Sequence, residues 1–200
     1  MRTHTIPRKP DTLDWAQIPA VSLEQQLWTP PVDISATAQI CYNEEALFVR
    51  LAAREAQIRA ELTGILDQPC LDSCLEFFFS PIPEDGRYFN IEFNPNCCMF
   101  LGFGSGREDL MRLLPGGENP LRPQAAPTAD GWEITYQIPV SFVRRFFPDF
   151  APAPGRSIRG NFYKCGDLTP RQHFFAWNRI TSETPDFHRS CDFGVMEFDN

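Results

Sequence analysis

Apolar and polar side chains alternate every second residue along much of this chain, and this pattern constrains the fold more than any other feature. In residues 88–94 (Tyr-Phe-Asn-Ile-Glu-Phe-Asn), Phe89, Ile91 and Phe93 alternate with amides and carboxylates. A two-residue period places one set of side chains on each face of a β-strand. Strands are predicted, from this and similar patterns, over residues 34–42, 47–54, 74–79, 88–94, 98–104, 132–138, 156–165, 173–180 and 193–198. The sequence therefore predicts an all-β fold: a two-sheet antiparallel β-sandwich, jelly-roll or immunoglobulin-like, with one or two short helices.

Length and residue usage favour a single domain. A chain of 200 residues can enclose one well-packed core. Its 18 Phe and 19 Pro suit short strands joined by many loops, because proline cannot donate to a strand ladder. We predict one sandwich domain over residues 1–200, with residues 1–33 as an N-terminal arm packed on it. Short helical turns are expected at 107–114 and 141–147, the second with Ser141 as its cap.

Charge and hydropathy exclude several classes of partner. The net charge of −8 opposes binding to nucleic acid or to an anionic membrane surface, and it suits a neutral ligand. The chain contains no apolar stretch of about 20 residues, the length that spans a membrane. Residues 1–10 include basic residues but no apolar segment after them, so no signal peptide is predicted and a cytoplasmic location is expected.

The seven cysteines show no spacing typical of a metal site or a disulfide framework. Reduced, mostly buried thiols are therefore expected, with no metal ion. No cofactor is predicted, although a calcium ion that stiffens a loop stays open. The sequence gives no oligomeric state.

Polar side chains on two neighbouring predicted strands form the candidate site. Glu76, Asn90 and Glu92 alternate with apolar residues and are expected on one sheet face. Sugar hydroxyls donate and accept hydrogen bonds, so amides and carboxylates beside an aromatic ring suit a sugar. An ordinary solvated strand face is the alternative interpretation for each polar residue.

The last strands supply the remaining candidates. Trp177 is the best ring for stacking on a sugar and shares a strand face with His173, although a core tryptophan is the alternative. Lys164 is one of only two lysines among the 18 basic residues. It could donate to a sugar hydroxyl or form an ion pair with Glu76 or Glu92. The predicted carbohydrate-binding residues are Glu76, Asn90, Glu92, Lys164, His173 and Trp177. Trp132 is expected in the core, and Trp15 and Trp28 are expected to anchor the arm.

Four motifs in order resemble those of the carbohydrate-binding-module family 9-like domains, within the DOMON-like β-sandwich group. They are residues 72–78 (Asp-Ser-Cys-Leu-Glu-Phe-Phe), 88–94, 161–165 (Asn-Phe-Tyr-Lys-Cys) and 173–177 (His-Phe-Phe-Ala-Trp), and the resemblance runs from 34 to 198. It implies non-catalytic binding of a neutral mono- or disaccharide between two tryptophans. Glu76 then matches the glutamate of the Asp-Ser-x-x-Glu strand, Asn90 lies near a ligand-contacting position and Trp177 near the second aromatic. The loop 67–71, where the first aromatic is expected, has none.

Three alternatives to a sugar-binding module stay open. A glycoside hydrolase would use Glu76 and Glu92 as its two carboxyls. A haem domain of the DOMON-like group would draw axial ligands from Met99, Met111, Met196, His173, His188 and Lys164. A protein-interaction sandwich would use the same sheet face for another chain.

Overall fold

The computed structural model describes residues 1–199 and contains fourteen strands and one short helix. Numbered in chain order, the strands are β1 (Thr3–Ile6), β2 (Ala20–Ser22), β3 (Gln25–Gln26), β4 (Ser35–Tyr42), β5 (Ala46–Arg54), β6 (Cys74–Ser80), β7 (Tyr88–Phe93), β8 (Met99–Gly104), β9 (Met111–Arg112), β10 (Gln124–Pro127), β11 (Gly131–Pro139), β12 (Ser157–Gly166), β13 (His173–Ala176) and β14 (Gly194–Phe198). The helix α1 is Val140–Val143, and 3₁₀ turns occur at Trp15–Gln17, Pro69–Leu71, Arg107–Asp109 and Ser190–Asp192.

Two sheets form the predicted sandwich. The larger has nine strands in the order β1-β14-β12-β6-β7-β8-β9, and β13 pairs with both β12 and β3 at its side. The smaller has the order β10-β11-β5-β4-β2. Pairing is antiparallel except between β1 and β14. The all-β sandwich with one short helix is confirmed.

The N-terminal residues form short strands that pair with both sheets. β1 pairs in parallel with β14 and β3 pairs with β13, both in the larger sheet, whereas β2 pairs with β4 in the smaller one. Residues 1–33 therefore supply backbone hydrogen bonds to the sandwich as well as packing on it. No periodic pattern marks strands as short as these, which explains why the sequence predicts only an arm.

Predicted and observed elements agree most closely where alternation is strict. The hairpins β4–β5 and β6–β7 lie where they are predicted. Residues 107–114 form a 3₁₀ turn followed by β9, and α1 begins one residue before its predicted start and ends at Val143. β13 ends at Ala176, four residues earlier than predicted.

The core lies between the inner faces of the two sheets and is rich in aromatic rings. Phe77 stacks on Phe162 across the β6–β12 pair with ring centroids 4.5 Å apart, and on Phe79 at 5.1 Å. Each fully buried ring stabilises the fold by about 1.5–3 kcal/mol relative to an exposed one. In residues 1–199 no helix has the length and apolar character needed to cross a membrane.

Candidate functional site

The outer face of the larger sheet carries a row of side chains set by strand register. Phe100 on β8 pairs with Glu92 on β7, Glu92 pairs with Glu76 on β6, and Glu76 pairs with Tyr163 on β12. Directly opposed residues point to the same face, with Cβ atoms about 4.5–5.5 Å apart. Register therefore places the Glu76 and Glu92 carboxyl groups side by side, with one aromatic residue at each end of the row.

A cleft of about 480 Å³ lies over this row. Its floor is formed by Glu76, Phe78, Asn90, Glu92 and Cys165. Its walls come from loops and neighbouring strands, and they comprise Trp28, Gln68, Cys70, Phe100, Arg107, Leu110, Asp167, Gln172, Phe174, Pro185, Asp186, Phe187 and His188. This volume is in the usual range for pockets that hold small molecules.

Trp28 forms the aromatic wall of the cleft. It lies two residues after the end of β3, is half-buried, and has a left-handed backbone with φ of 57°. Its indole N–H donates to the Ser182 carbonyl oxygen at 2.9 Å, and its ring contacts Phe174 and Phe187 with centroids 5.6 and 5.5 Å away. A left-handed backbone is uncommon for a residue other than glycine and is concentrated at functional positions. The indole is thus fixed in place with part of its surface open to the cleft.

Asn90 offers the cleft floor a free acceptor. Its amide nitrogen donates to Glu92 Oε1 at 2.9 Å, which orients both groups. The side chain is fully buried, yet its Oδ1 has no hydrogen-bond partner among the described residues. A buried polar atom without a partner costs about 1–3 kcal/mol, so such atoms are rare unless they serve a ligand or an ordered water.

The acidic groups of the cleft have raised pKa values, so they hold a proton at higher pH than exposed carboxyls do. Burial raises the pKa of Glu76 well above its usual range, and the neighbouring Glu92 carboxylate adds to this rise. Burial also raises the pKa of Glu92 to about 7, against the lowering effect of the Asn90 amide. Burial raises the pKa of Asp167 on the wall. A protonated carboxyl donates as well as accepts, so this floor can match the mixed character of hydroxyl groups.

Comparison with known protein families shows to which family this chain belongs. A family model described as carbohydrate-binding family 9 matches residues 7–198. The chain belongs to carbohydrate-binding family 9. No curated protein matches the sequence.

Solved structures share the family 9 fold seen here. A crystal structure from Bacteroides uniformis ATCC 8492, provisionally described as a carbohydrate-binding protein, is 25% identical, with a TM-score of 0.85 and 99% of each chain covered. A family 9 module from Caldicellulosiruptor kristjanssonii in complex with cellotriose is 10% identical with a TM-score of 0.69, covering 100% of this chain and 94% of the other. The same module in complex with glucose has equal identity and TM-score, with 96% of that chain covered.

Three of the six predicted site residues of this family 9 chain meet in the cleft: Glu76, Asn90 and Glu92. Trp177 does not. It shares a strand face with His173 and Phe175, as predicted, but that face points between the sheets. Its ring is 2% exposed and lies in the core 6.2 Å from the Phe162 ring. The stacking prediction for Trp177 is therefore wrong, and the tryptophan that lines the cleft is Trp28. Trp28 also contacts Ser182, Phe174 and Phe187, in keeping with its predicted role as an anchor of the arm.

Lys164 and His173 also lie on the inner side of the larger sheet, away from the cleft. The Lys164 ammonium contacts Glu55 Oε2 at 3.1 Å, so its partner is neither Glu76 nor Glu92. It also donates to the Cys165 carbonyl oxygen at 2.9 Å and to His173 Nε2 at 2.7 Å. Since Nε2 must accept from lysine, the proton of the neutral imidazole is on Nδ1, which donates to the Arg171 carbonyl oxygen at 2.7 Å. Burial, with the nearby lysine, lowers the pKa of His173 to about 4.

The Asp-Ser pair of the 72–78 motif anchors the loop that precedes β6. Asp72 Oδ2 accepts from the backbone N–H groups of Glu61 and Leu62, each at 2.8 Å, and from the Asn94 amide at 2.9 Å. Ser73 donates to Glu55 Oε1 at 2.9 Å. These two residues therefore position the loop 55–73, whereas Glu76 of the same motif faces the cleft.

The wall of the cleft includes residues from loops that are distant in sequence, and the alternation of residues in strands does not predict them. Arg107 and Asp186 form an ion pair of 3.3 Å between two segments that line the cleft. His188 accepts from or donates to the Tyr88 hydroxyl at 2.9 Å. Among the haem-ligand candidates, within the described part of the chain, only His188 lines the cleft, while Met196 is in the core and Met111 is exposed.

His188 gives the fold a measurable pH dependence. Burial, with the nearby Arg107 guanidinium, lowers its pKa to about 4, against a raising effect from Asp186. In the unfolded chain the pKa is about 6.5, so between pH 6.5 and 4 the unfolded state binds more protons and stability falls as the pH falls. From pH 7 to 4.5, we expect wild type to lose roughly 1–2 kcal/mol of unfolding free energy more than His188→Gln does, by urea denaturation.

The comparison with His188→Gln isolates one group among several that titrate. Glu92, whose pKa is raised, acts in the opposite direction, because the folded state holds its proton more tightly. That contribution is common to both proteins and cancels in the difference. Parallel stability profiles of the two proteins would contradict a lowered pKa for the half-buried His188 imidazole.

Proposed function

We propose that the cleft binds a mono- or disaccharide without catalysis, on the floor formed by Glu76, Asn90 and Glu92. The observation that carries this proposal is Asn90 Oδ1, a buried acceptor at the cleft floor with no protein partner. A sugar hydroxyl would donate to this oxygen. The adjacent carboxyl groups would accept from or donate to neighbouring hydroxyls, according to their protonation.

Trp28 supplies the apolar surface that a pyranose ring needs. Its indole is fixed by the Ser182 hydrogen bond and by Phe174 and Phe187, so stacking on it loses little conformational entropy. Phe100, half-buried beside Glu92, lines the other flank of the carboxyl row. In this proposal Trp28 does the work of an aromatic that the loop 67–71 lacks.

Glucose and cellotriose are the sugars to test first. They are bound by the Caldicellulosiruptor kristjanssonii module, which has the same fold. The cleft volume of about 480 Å³ suits one or two sugar rings better than a long polymer. The net charge of −8 favours a neutral or cationic ligand over an anionic one.

The arrangement of the carboxyl groups favours binding over hydrolysis. Glycoside hydrolysis needs two carboxyls that flank the scissile bond. Glu76 and Glu92 are directly opposed on adjacent strands, so both approach a ligand from the sheet side. We therefore propose a binding module that releases its sugar unchanged.

A reducing compartment such as the cytoplasm suits this module. All seven cysteines are free, and all but the exposed Cys191 are fully or partly buried. Burial raises the pKa of five of these thiols, and the hydrogen bond with Cys74, together with burial, raises the pKa of Cys165. Thiols of this kind are slow to react, which suits an environment where disulfides do not form. We propose that the module works there on a small sugar.

Trp28→Ala is expected to weaken sugar binding by about 1–3 kcal/mol, or roughly 5- to 150-fold in Kd, because it removes the stacking surface of one aromatic side chain. Isothermal titration calorimetry with glucose, cellobiose and cellotriose measures this loss. Trp15→Ala is the matched control, since Trp15 is also a half-buried tryptophan of the N-terminal segment but does not line the cleft. Equal affinity for wild type and Trp28→Ala, in folded protein, would remove Trp28 from the site.

Asn90→Ala tests the contribution of the cleft floor to sugar binding, separately from that of Trp28 on the wall. This variant removes the free acceptor and the amide that holds Glu92, so calorimetry should detect no sugar binding. The Glu92 oxygen then has no donor, which should lower the free energy of unfolding by about 1–3 kcal/mol and leave the protein folded. If no sugar gives heat with wild type, the proposed function fails.

A further inference from the structure

Two thiols and a carboxyl converge under the floor of the cleft. Cys74 and Glu76 are two residues apart on β6 and share its outer face, and Cys165 on β12 is the direct partner of Cys74. One ligand atom of each, Sγ, Oε and Sγ, lies within 4.8 Å of the other two. The Cys165 thiol donates to Glu76 Oε1 at 2.9 Å. Residues 91 positions apart in sequence thus form one compact set of donors.

The two glutamates beside these thiols have no basic side chain in direct contact with them among the described residues. Glu92 faces Glu76 across the strand pair. Among residues 1–199 no lysine or arginine forms an ion pair with either glutamate. Lys164, next in sequence to Cys165, points to the opposite side of the sheet and pairs with Glu55. A cation that entered from the cleft would meet three buried donors. The Arg107 guanidinium on the cleft wall is paired with Asp186 and not with the donors.

We propose that Cys74, Glu76 and Cys165 bind one divalent transition-metal ion of the zinc type. Two sulfurs and one oxygen match the ligand preference of Zn²⁺, whereas calcium and magnesium prefer oxygen alone. Sulfurs bound tetrahedrally at about 2.3 Å from zinc lie roughly 3.8 Å apart. All three donor atoms already lie within 4.8 Å of one another, and the Cys165 Sγ–Glu76 Oε1 pair would open slightly from its 2.9 Å hydrogen bond. The two thiol protons and the Glu76 proton pass to water as the metal bonds form.

The fourth coordination position would face the cleft. Glu76 and Cys165 line the cleft floor, and Cys74 lies beneath them with no exposure. Water fills such a position in zinc sites that have three protein ligands. The ion would therefore lie at the base of the ligand cleft, and its binding does not depend on whether a sugar binds there.

Titration of the reduced full-length protein with Co²⁺ tests this site directly. We expect a saturable thiolate-to-cobalt charge-transfer band at one equivalent, which Zn²⁺ then displaces. Cys74→Ser and Cys165→Ser should each lose the band, and Glu76→Gln should keep it with weaker affinity. Cys41→Ser is the matched control, because Cys41 is also a fully buried cysteine but lies on β4 of the smaller sheet, outside the three-donor set and the cleft. It should bind like wild type.

A second measurement keeps the test decisive if a serine variant fails to fold. Zn²⁺ should protect Cys74 and Cys165 of wild type from alkylation in mild denaturant, as measured by mass spectrometry. Cys41 and Cys191, which lie outside the cleft, should react at unchanged rates. Absence of a saturable band in wild type, or a band that persists in the Cys74→Ser/Cys165→Ser double variant, would overturn the proposal. Loss of sugar binding alone would not, since neither readout uses a sugar.

Discussion

Replacement of Lys164 by methionine is expected to lower the free energy of unfolding by about 3–5 kcal/mol, the cost of removing one partner of a buried ion pair. The Lys164 side chain has no exposed surface, and its three N–H donors contact Glu55, His173 and the Cys165 carbonyl. Methionine has a similar length and no charge. It would leave the Glu55 carboxylate buried without its cation and His173 Nε2 without a donor. Urea denaturation of the two proteins measures the difference.

Two companion variants distinguish this ion pair from ordinary packing. Addition of Glu55→Gln to Lys164→Met should recover part of the loss, because the uncompensated charge is gone, and the coupling appears as non-additivity in a double-mutant cycle. Arg54→Met removes a cation one residue before Glu55 whose pair with Asp33 is exposed, and it should leave stability nearly unchanged. A Lys164→Met protein as stable as wild type would show that the buried pair contributes nothing.

The alternation of residues predicts which side chains share a face, but not which face is inside. Glu76, Asn90 and Glu92 were placed on the polar face of β6 and β7, and that face forms the cleft floor. On β12 and β13 the same logic correctly grouped His173 with Trp177. The outer face there is also apolar, with Tyr163, Phe174 and Ala176 buried under the segment 180–193. Two apolar faces give no sign of which one carries the ligand.

Contacts that depend on strand register or on loop conformation cannot be predicted from the sequence pattern. Cys74 and Cys165 are brought together only by the pairing of β6 with β12, and no local spacing encodes that pairing. Trp28 reaches the cleft because β3 pairs with β13 and the chain then turns with a positive φ. For a tryptophan in an irregular segment, no periodic pattern indicates which way the side chain points. The motif resemblance supplied the fold and the ligand class, while the particular aromatic ring required the structure.

Trp177→Ala is expected to destabilise the fold by about 3–5 kcal/mol, the usual cost of truncating a buried tryptophan to alanine. The ring is 2% exposed and packs with Phe162 in the core. It also lies against β14, where a Cβ added at Gly194 would stand 2.4 Å from Trp177 Cζ3. The space around the indole is therefore filled, and alanine would leave a cavity that the two sheets cannot close. Thermal and urea unfolding measure the loss.

Sugar affinity provides the contrast that separates Trp177 from Trp28. Trp177→Phe keeps most of the core volume, so the folded variant should bind glucose or cellotriose with the wild-type Kd in calorimetry. Trp28→Ala should show the reverse, with weaker binding and a smaller change in stability, because its ring is only half-buried. Gly194→Ala should destabilise like a Trp177 variant, since it forces the indole to move. A folded Trp177→Phe protein with at least about tenfold weaker sugar binding would contradict a purely structural Trp177 and would place the ligand on the inner side of the sheet.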